Sequence, residues 1–99
     1  MNEKHSTGTG MVITPNEKEL CSVADYALTE KRGKDLQISP DEWSGELTTM
    51  SRLKAGEYVI QLGEGDGRSG RIVLSVGKRR TRGGLKIYAY TFEGDGPLM

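Results

Sequence analysis

The stretch "YVIQLGEGDGRSGRIVLSV", residues 58–76, decides the fold class of this chain. Apolar residues alternate with polar ones on both sides of its glycine-rich centre, which is typical of two extended strands that each have one buried face. Asp66 and Gly67 between them supply the positive φ angles that a tight hairpin turn requires. The stretch therefore predicts a β-hairpin whose inward faces consist of Tyr58, Ile60 and Leu62 on one strand and Ile72, Leu74 and Val76 on the other.

The centre of this hairpin also contains Gly65-x-Gly67-x-x-Gly70, a spacing that some enzymes use to hold nucleotide phosphates. In a dinucleotide-binding fold a helix follows the glycines, so that its N-terminal amides face the pyrophosphate. Residues 71–76 have a β-branched strand pattern instead, and Arg71 and Ile72 occupy the positions where a P-loop has Lys and Ser/Thr. Residues 73–99 also lack the catalytic and metal-binding aspartate motifs of a protein kinase. We therefore expect no nucleotide here and interpret the three glycines as turn residues.

Further strands are predicted on both sides of the hairpin. Residues 9–14 form a short β-prone segment that ends at a Pro-Asn turn, and residues 20–29 alternate with Ala24, Tyr26 and Leu28 on one side. Residues 85–92 form another segment after a basic, glycine-flanked turn at 77–84. The three strands between residues 58 and 92 are expected to form an antiparallel meander.

Residues 39–56 carry two conflicting patterns. The segment 39–42 resembles a helix start, with a serine N-cap, a proline and a glutamate at the capping-box position, and Trp43 is followed by apolar residues four and seven positions later. Against a helix, the interior Gly45 costs about 1 kcal/mol and the threonines at 48–49 favour a strand. We predict a single helical turn that leads into a strand, with Trp43 as a core anchor in either case.

These segments amount to six short strands. The predicted fold is mainly β, a small antiparallel six-stranded barrel or sandwich with at most one short helix near residues 40–54, and the alternative is an α+β fold with a full helix over 40–55. The 99 residues provide enough apolar surface for one core. We expect a flexible leader at residues 1–6 and a single β domain at 7–99.

Composition limits the possible functions. The formal net charge is zero, but residues 1–50 hold five Lys/Arg and nine Asp/Glu, whereas residues 51–99 hold nine and five. No apolar run is long enough to span a membrane, residues 1–10 do not resemble a signal peptide, and the lone Cys21 fits a reducing compartment, so a cytoplasmic location is expected. Because the single histidine, His5, lies in the polar leader, we expect no enzyme activity and no cofactor. We also expect no metal site, because a lone cysteine cannot form a zinc cage and Arg68 lies where an EF-hand loop needs an oxygen ligand.

One cluster has the composition of a binding site. Five cations lie in the segment 78–86, and two tyrosines follow shortly afterwards. Cations neutralise phosphates and aromatic faces stack on bases, which are the two ingredients that small β-barrels use to hold single-stranded nucleic acid. Because alternation places the aromatic residues on one side of their strand, they can equally form the core of the barrel. The candidate binding residues are Lys78, Arg79, Arg80, Arg82, Lys86, Tyr88 and Tyr90.

The sequence therefore predicts a non-catalytic β module that mediates protein–protein interaction or self-association as a homo-oligomer. Small β folds commonly offer a strand edge to which a partner adds its own strand. The alternative is single-stranded nucleic-acid binding through the basic turn 78–86 and the neighbouring aromatics, and no membrane contact is expected.

Overall fold

The computed structural model describes residues 2–32, 40, 42–63 and 65–99. Within these residues all regular structure is β-strand, and no helix is present that could cross a membrane. The seven strands are β1 (Asn2–Ile13), β2 (Leu20–Arg32), β3 (Glu42–Thr49), β4 (Gly56–Gln61), β5 (Ser69–Leu74), β6 (Lys78–Arg82) and β7 (Leu85–Leu98).

Six of the strands close into an antiparallel barrel in the order β1–β2–β3–β7–β5–β4, with β4 paired back to β1. The pairing of β3 with β7 closes the barrel, and β6 lies outside it, paired with β7. The predicted mainly β barrel is confirmed. The predicted meander is also confirmed, because β4 pairs with β5 and β5 pairs with β7.

The core lies inside the barrel, where every second residue of the strands points. Along β2 buried and more exposed residues alternate, and Ala24, Tyr26 and Leu28 are buried as the alternation predicts. Burial of each large apolar side chain stabilises the fold by about 1.5–3 kcal/mol. The fully buried apolar side chains include Val12, Leu28, Leu47, Ile60, Ile72, Leu74, Phe92 and Leu98.

The segment after residue 40 differs from the prediction. Residues 42–49 form strand β3, no helix occurs among residues 42–54, and the alternative of a full helix over 40–55 is wrong. Ser39 and Asp41, which belong to the predicted helix start, lie outside the described residues. The strand conformation prevails because β3 pairs with β2 on one edge and with β7 on the other, and such tertiary pairing overrides a local helix signal.

Trp43 is a core anchor, as predicted. Its ring is 5% exposed, it meets Phe92 edge to face at 6.3 Å, and its indole N–H donates a hydrogen bond of 2.9 Å to the carbonyl oxygen of Gly96. A Cβ at Gly70 would lie 2.7 Å from this ring, and one at Gly94 would also collide with it. The indole therefore occupies space that two neighbouring strands leave open by having glycine at these positions.

Two boundaries in the first and fifth strands differ from the sequence analysis. Residues 2–6, which were predicted to be part of a flexible leader, form the start of β1 and pair with residues 28–32 of β2. Val76, predicted to face inward, is 78% exposed because β5 ends at Leu74. The long pairing with β2 orders the polar start of β1 although it has almost no apolar side chains to bury.

The glycine-rich loop between β4 and β5 behaves as a turn followed by a strand. Gly67 has a φ of 76°, as predicted for the turn, whereas the positive φ predicted for Asp66 is wrong; the chain beyond Gly70 is extended, as predicted. The turn explanation of Gly70 itself is wrong, because Gly70 lies within β5 and its lack of a side chain makes room for Trp43.

The segment predicted as a basic turn, residues 77–84, is a hairpin arm. Lys78–Arg82 form β6, and a two-residue turn at Gly83 and Gly84 connects it to β7. Both glycines have positive φ, 56° and 80°, which is the conformation of a type I′ hairpin turn. β5 and β6 therefore lie one after the other along the same edge of β7.

Candidate functional site

The β6–β7 hairpin carries the cationic residues that the sequence analysis selected. Lys78, Arg79, Arg80 and Arg82 form nearly all of β6, and Lys86 follows the turn. All five side chains are exposed, and none of them forms a salt bridge within the described residues. No Asp or Glu occurs between Ser69 and Phe92. The hairpin therefore concentrates positive charge that the barrel itself leaves unneutralised.

The strand register divides these residues between two faces of the hairpin. Directly opposed residues in an antiparallel pair share a face, and neighbours along a strand lie on opposite faces. Lys78, Arg80 and Arg82 lie on one face, which we call the outer face of the hairpin. Arg79 lies on the other face, opposite Tyr88. The predicted set of site residues is thus not one continuous surface.

The outer face also carries apolar side chains. Arg82 is opposite Leu85, which is 57% exposed, and Arg80 is opposite Ile87, which is half-buried. Arginine is enriched at protein–protein interfaces, and the centre of such an interface buries apolar area. The outer face of the hairpin thus combines charge with apolar area.

The two tyrosines of the predicted site have different environments. Tyr90 is 2% exposed, and its hydroxyl oxygen accepts a hydrogen bond of 2.7 Å from the backbone N–H of Leu53. A side chain at Gly77 would collide with the Tyr90 ring, so this glycine makes room for it. Tyr88 is half-buried and packs against the core. The aromatic row of β7 is therefore mainly core, and it is not an open stacking platform.

The remaining aromatic residues do not provide such a platform either. The chain has four tyrosines, one tryptophan and one phenylalanine, and the structure describes all of them. Four of the six residues are buried, and the other two, Tyr58 and Tyr88, are half-buried. The Tyr58 hydroxyl donates a hydrogen bond of 2.8 Å to the carbonyl oxygen of Lys54. Stacking on bases requires an accessible aromatic face. None of the six rings is exposed to that degree.

A cleft at the base of the hairpin brings in two cations that the sequence analysis missed. It has a volume of about 430 Å³, and its lining includes Tyr88, Gly77, Arg52 and Lys54. Arg52 and Lys54 belong to the loop between β3 and β4, far from the hairpin in sequence. No local pattern links these segments, because barrel closure alone brings them together.

A second arginine-containing element, the loop between β4 and β5, has its charges paired. The Arg68 guanidinium donates two hydrogen bonds to the Glu30 carboxylate, from Nη1 to Oε1 at 2.6 Å and from Nη2 to Oε2 at 2.9 Å. It also donates from Nε and Nη2 to the two carboxylate oxygens of Asp66, at 2.6 and 2.9 Å. Glu30 is fully buried, so this pair fastens the loop to β2 inside one end of the barrel.

The pairing changes the protonation equilibria of all three groups. Hydrogen bonds from Arg68 hold the pKa of Glu30 and the pKa of Asp66 below their ordinary values, although burial opposes this. The same hydrogen bonds, first those that Arg68 donates to Asp66 and then those to Glu30, raise the pKa of Arg68. The sequence contained a signal for this network, since Glu30 continues the buried alternation of residues 24, 26 and 28 and so had to face inward.

The described residues offer little that resembles catalytic machinery. They contain no cluster of three or more His, Cys, Asp or Glu side chains that could hold a metal ion. His5 is exposed, with Nδ1 at 3.0 Å from the Thr29 hydroxyl. Partial burial, and to a lesser extent the nearby Glu19, raises the pKa of the Cys21 thiol, which disfavours the nucleophilic thiolate. The absence of enzyme activity stays a prediction.

Comparison with protein-family models, with curated proteins and with solved structures gives no match for this chain.

Proposed function

We propose that this chain is a non-catalytic protein-interaction module that binds an acidic segment of a partner protein through the β6–β7 hairpin. The observation that carries the proposal is the set of five exposed cations on this hairpin, none of which has a carboxylate partner among the described residues. Like charges on neighbouring residues repel one another, and no carboxylate of the described residues pairs with them to offset that cost. An acidic partner would offset it.

Arginine is suited to this role because its planar guanidinium can donate two parallel hydrogen bonds to a carboxylate. The chain itself contains an example, since Arg68 binds Glu30 in this two-point manner. Arg79, Arg80 and Arg82 have the same chemistry but remain open to solvent. We infer that they are available for carboxylates from another molecule.

Two observations favour a protein partner over single-stranded nucleic acid. The aromatic rings that would stack on bases are buried or half-buried, and Tyr90 is in the core. The outer face of the hairpin instead has exposed aliphatic area, including Leu85 and part of Ile87, beside its cations. Phosphates would be attracted to the same charges, so the two functions have to be separated by experiment.

Fluorescence anisotropy can separate them. A labelled acidic peptide and a labelled single-stranded oligothymidylate of equal net charge are titrated with the protein at 50 mM salt and at higher salt. We expect the peptide to bind more tightly than the oligonucleotide, and we expect binding to weaken as salt rises. The variant Arg80→Gln/Arg82→Gln should bind the peptide about tenfold less tightly or worse, as expected when charge-assisted hydrogen bonds are lost.

Arg71→Gln is the matched control, because Arg71 is an exposed arginine on β5 outside the hairpin. It should bind the peptide like the wild type. Oligonucleotide binding that is equal to or tighter than peptide binding would replace this proposal with the nucleic-acid function. Failure of both ligands to bind at 50 mM salt would overturn the hairpin as a site for anionic partners.

A further inference from the structure

The outer edge of β6 is unpaired. In the sheet order β3–β2–β1–β4–β5–β7–β6, this strand is last, and in the described part of the chain it pairs with β7 alone. An edge of this kind presents backbone N–H and C=O groups that can pair with a strand from another molecule. Many proteins protect such an edge with a short strand, with charges or with a covering segment; β6 is short and charged, and no segment of the described residues covers it, so its backbone groups remain accessible to a strand of opposite charge.

The register identifies which backbone groups point outward. A two-residue type I′ turn is closed by a hydrogen bond between the residues that flank it, here Arg82 and Leu85. Hydrogen-bonded and non-hydrogen-bonded pairs alternate along an antiparallel ladder, so residues 80 and 78 also bond to β7. Arg79 and Thr81 therefore direct their N–H and C=O groups away from β7, toward the open edge.

We propose that the acidic partner segment binds as an extended strand, added antiparallel to the outer edge of β6, with acidic residues at every second position. This inference rests on the proposed function and specifies how the partner is held. The residues of the segment opposite Arg79 and Thr81 exchange backbone hydrogen bonds with β6. The alternate residues lie opposite Lys78, Arg80 and Arg82 on the outer face, and these carry the carboxylates.

The geometry suits ion pairs at these positions. In the ladder between β6 and an added strand, residues 78, 80 and 82 occupy non-hydrogen-bonded pairs, in which Cα atoms are about 4.5 Å apart and side chains approach most closely. Opposite charges directly across such a pair stabilise it, whereas like charges destabilise it. Three cations at alternate positions thus select a segment with acidic residues spaced i, i+2 and i+4.

The same charges disfavour β6 of a second copy as the occupant of the edge. Antiparallel pairing of two β6 strands would place arginines and lysines of one copy against those of the other. This repulsion acts against pairing of β6 with β6 and leaves an acidic strand as the matching ligand. We assign the edge to an acidic extended segment of a different protein.

N-methylated peptides test this binding mode directly. The probe is an acetylated, amidated and labelled peptide in which Glu alternates with Thr over nine residues. In the proposed complex the Thr N–H groups face β6 and the Glu N–H groups face solvent. N-methylation of two central Thr residues should weaken binding about tenfold or more, because backbone hydrogen bonds are lost and the methyl groups collide with the edge. N-methylation of two central Glu residues should change the affinity less than twofold.

A matched pair of protein variants gives an independent test. Thr81→Pro removes an outward N–H while leaving the bonds of residues 78, 80 and 82 to β7 in place, and proline is tolerated on edge strands. We expect it to bind the unmethylated peptide several-fold less tightly, whereas Thr81→Val, which retains the N–H, should bind like the wild type. Circular dichroism checks that both variants fold. If Thr81→Pro does not fold, the methylated peptides alone decide the question.

The outcomes distinguish the binding mode from the proposed function. Equal affinity of the two methylated peptides, or equal affinity of the alternating peptide and an isomer with its glutamates in one block, overturns strand addition. In that case binding that still depends on Arg80 and Arg82 leaves the acidic-partner function intact. Failure of every acidic peptide to bind overturns both strand addition and the acidic-partner function. A dimer of the wild type that is lost in Arg80→Gln/Arg82→Gln also overturns both.

Discussion

The loop between β4 and β5 and the hairpin of β6 and β7 both combine glycine with arginine, but the arginine charges are paired in the loop and unpaired, within the described residues, in the hairpin. Arg68 in the first is bound by the carboxylates of Glu30 and Asp66 at one end of the barrel. The arginines of the second are exposed, and none has a carboxylate partner within the described residues. The same residue type therefore fastens the fold in one place and faces solvent in the other.

The difference shows what decides the role of a cation in a small barrel. A buried carboxylate such as Glu30 requires a partner, because an unpaired buried charge costs several kcal/mol. Arg68 thus belongs to the fold. The hairpin cations satisfy no such requirement, so their removal should leave the fold intact and alter only what the hairpin can bind. Substitution of Arg68 and substitution of the hairpin arginines should therefore have different effects.

The largest effect is expected from Arg68→Met. The substitution leaves Glu30 buried without its main partner, and removal of one member of a buried pair costs about 3–5 kcal/mol. Urea denaturation measures this loss in the free energy of unfolding. Arg71→Met serves as the control, because Arg71 is exposed on the neighbouring strand and should change stability by less than about 0.5 kcal/mol.

Replacing both partners sharpens this test. Glu30→Met/Arg68→Met should recover much of the stability that Arg68→Met loses, since a buried pair can often be replaced by apolar residues at little cost. A single variant Arg68→Met with the stability of the wild type would mean that the pair does not fasten the loop to β2.

A smaller effect on stability is expected from a substitution where the β6–β7 hairpin joins the barrel. Tyr90→Phe removes the acceptor of the Leu53 N–H and should destabilise the fold by about 1–3 kcal/mol, the cost of an unsatisfied buried donor. Tyr88→Phe is the control, because Tyr88 is only half-buried and should change the free energy of unfolding by less than about 0.5 kcal/mol. Equal stability of both variants would mean that the hydrogen bond from Leu53 to Tyr90 does not stabilise the fold.

Acid should weaken the paired region, by less than Arg68→Met does, because a protonated carboxyl group can still accept a hydrogen bond from Arg68. The folded-state pKa values of Glu30 and Asp66 lie below their ordinary values, so the pair's stabilisation is present at neutral pH and is lost as pH falls below about 4. Thermal melting between pH 7 and pH 3 should show a falling melting temperature. In Arg68→Met this part of the decrease should vanish, because among the described residues Glu30 then keeps only the longer contact with Arg32, at 3.4 Å, and protonation relieves its poorly compensated charge.

The smallest effect on stability is expected from the exposed hairpin. Arg80→Gln/Arg82→Gln should change the free energy of unfolding by less than about 0.5 kcal/mol, since both side chains are exposed. The same variant should lose acidic-peptide binding. A loss of stability above 1 kcal/mol, measured by urea denaturation, would show that these arginines serve the fold like Arg68.

Much of the barrel was predictable because strand alternation is a local property. The buried faces of β2, β4 and β5 follow from apolar residues at every second position, and the Asp66-Gly67 turn follows from backbone chemistry. Two errors arose where local signals conflicted with pairing. The helical spacing of apolar residues from Trp43 onward, which favoured the full-helix alternative, was overridden by strands on both edges of β3, and the predicted basic turn contains strand β6, whose polar residues give no burial pattern.

The candidate site was predictable only in part. The cationic residues are evident from composition, but which of them share a face depends on the register of β6 against β7. The involvement of Arg52 and Lys54 depends on the closure of the barrel. Glu30 could have been assigned to the interior from its position in the alternation, but its partner Arg68, 38 residues away, could not.

The amino-acid sequence by itself determined most of the barrel strands, the turn at Gly67 and the local excess of positive charge, because these follow from side-chain periodicity, glycine conformation and residue type. The tertiary structure alone decided which arginine is neutralised, which tyrosine is buried and which strand edge stays open. Those outcomes depend on contacts between residues far apart in the chain, and such contacts exist only once β3 and β7 have paired and closed the barrel.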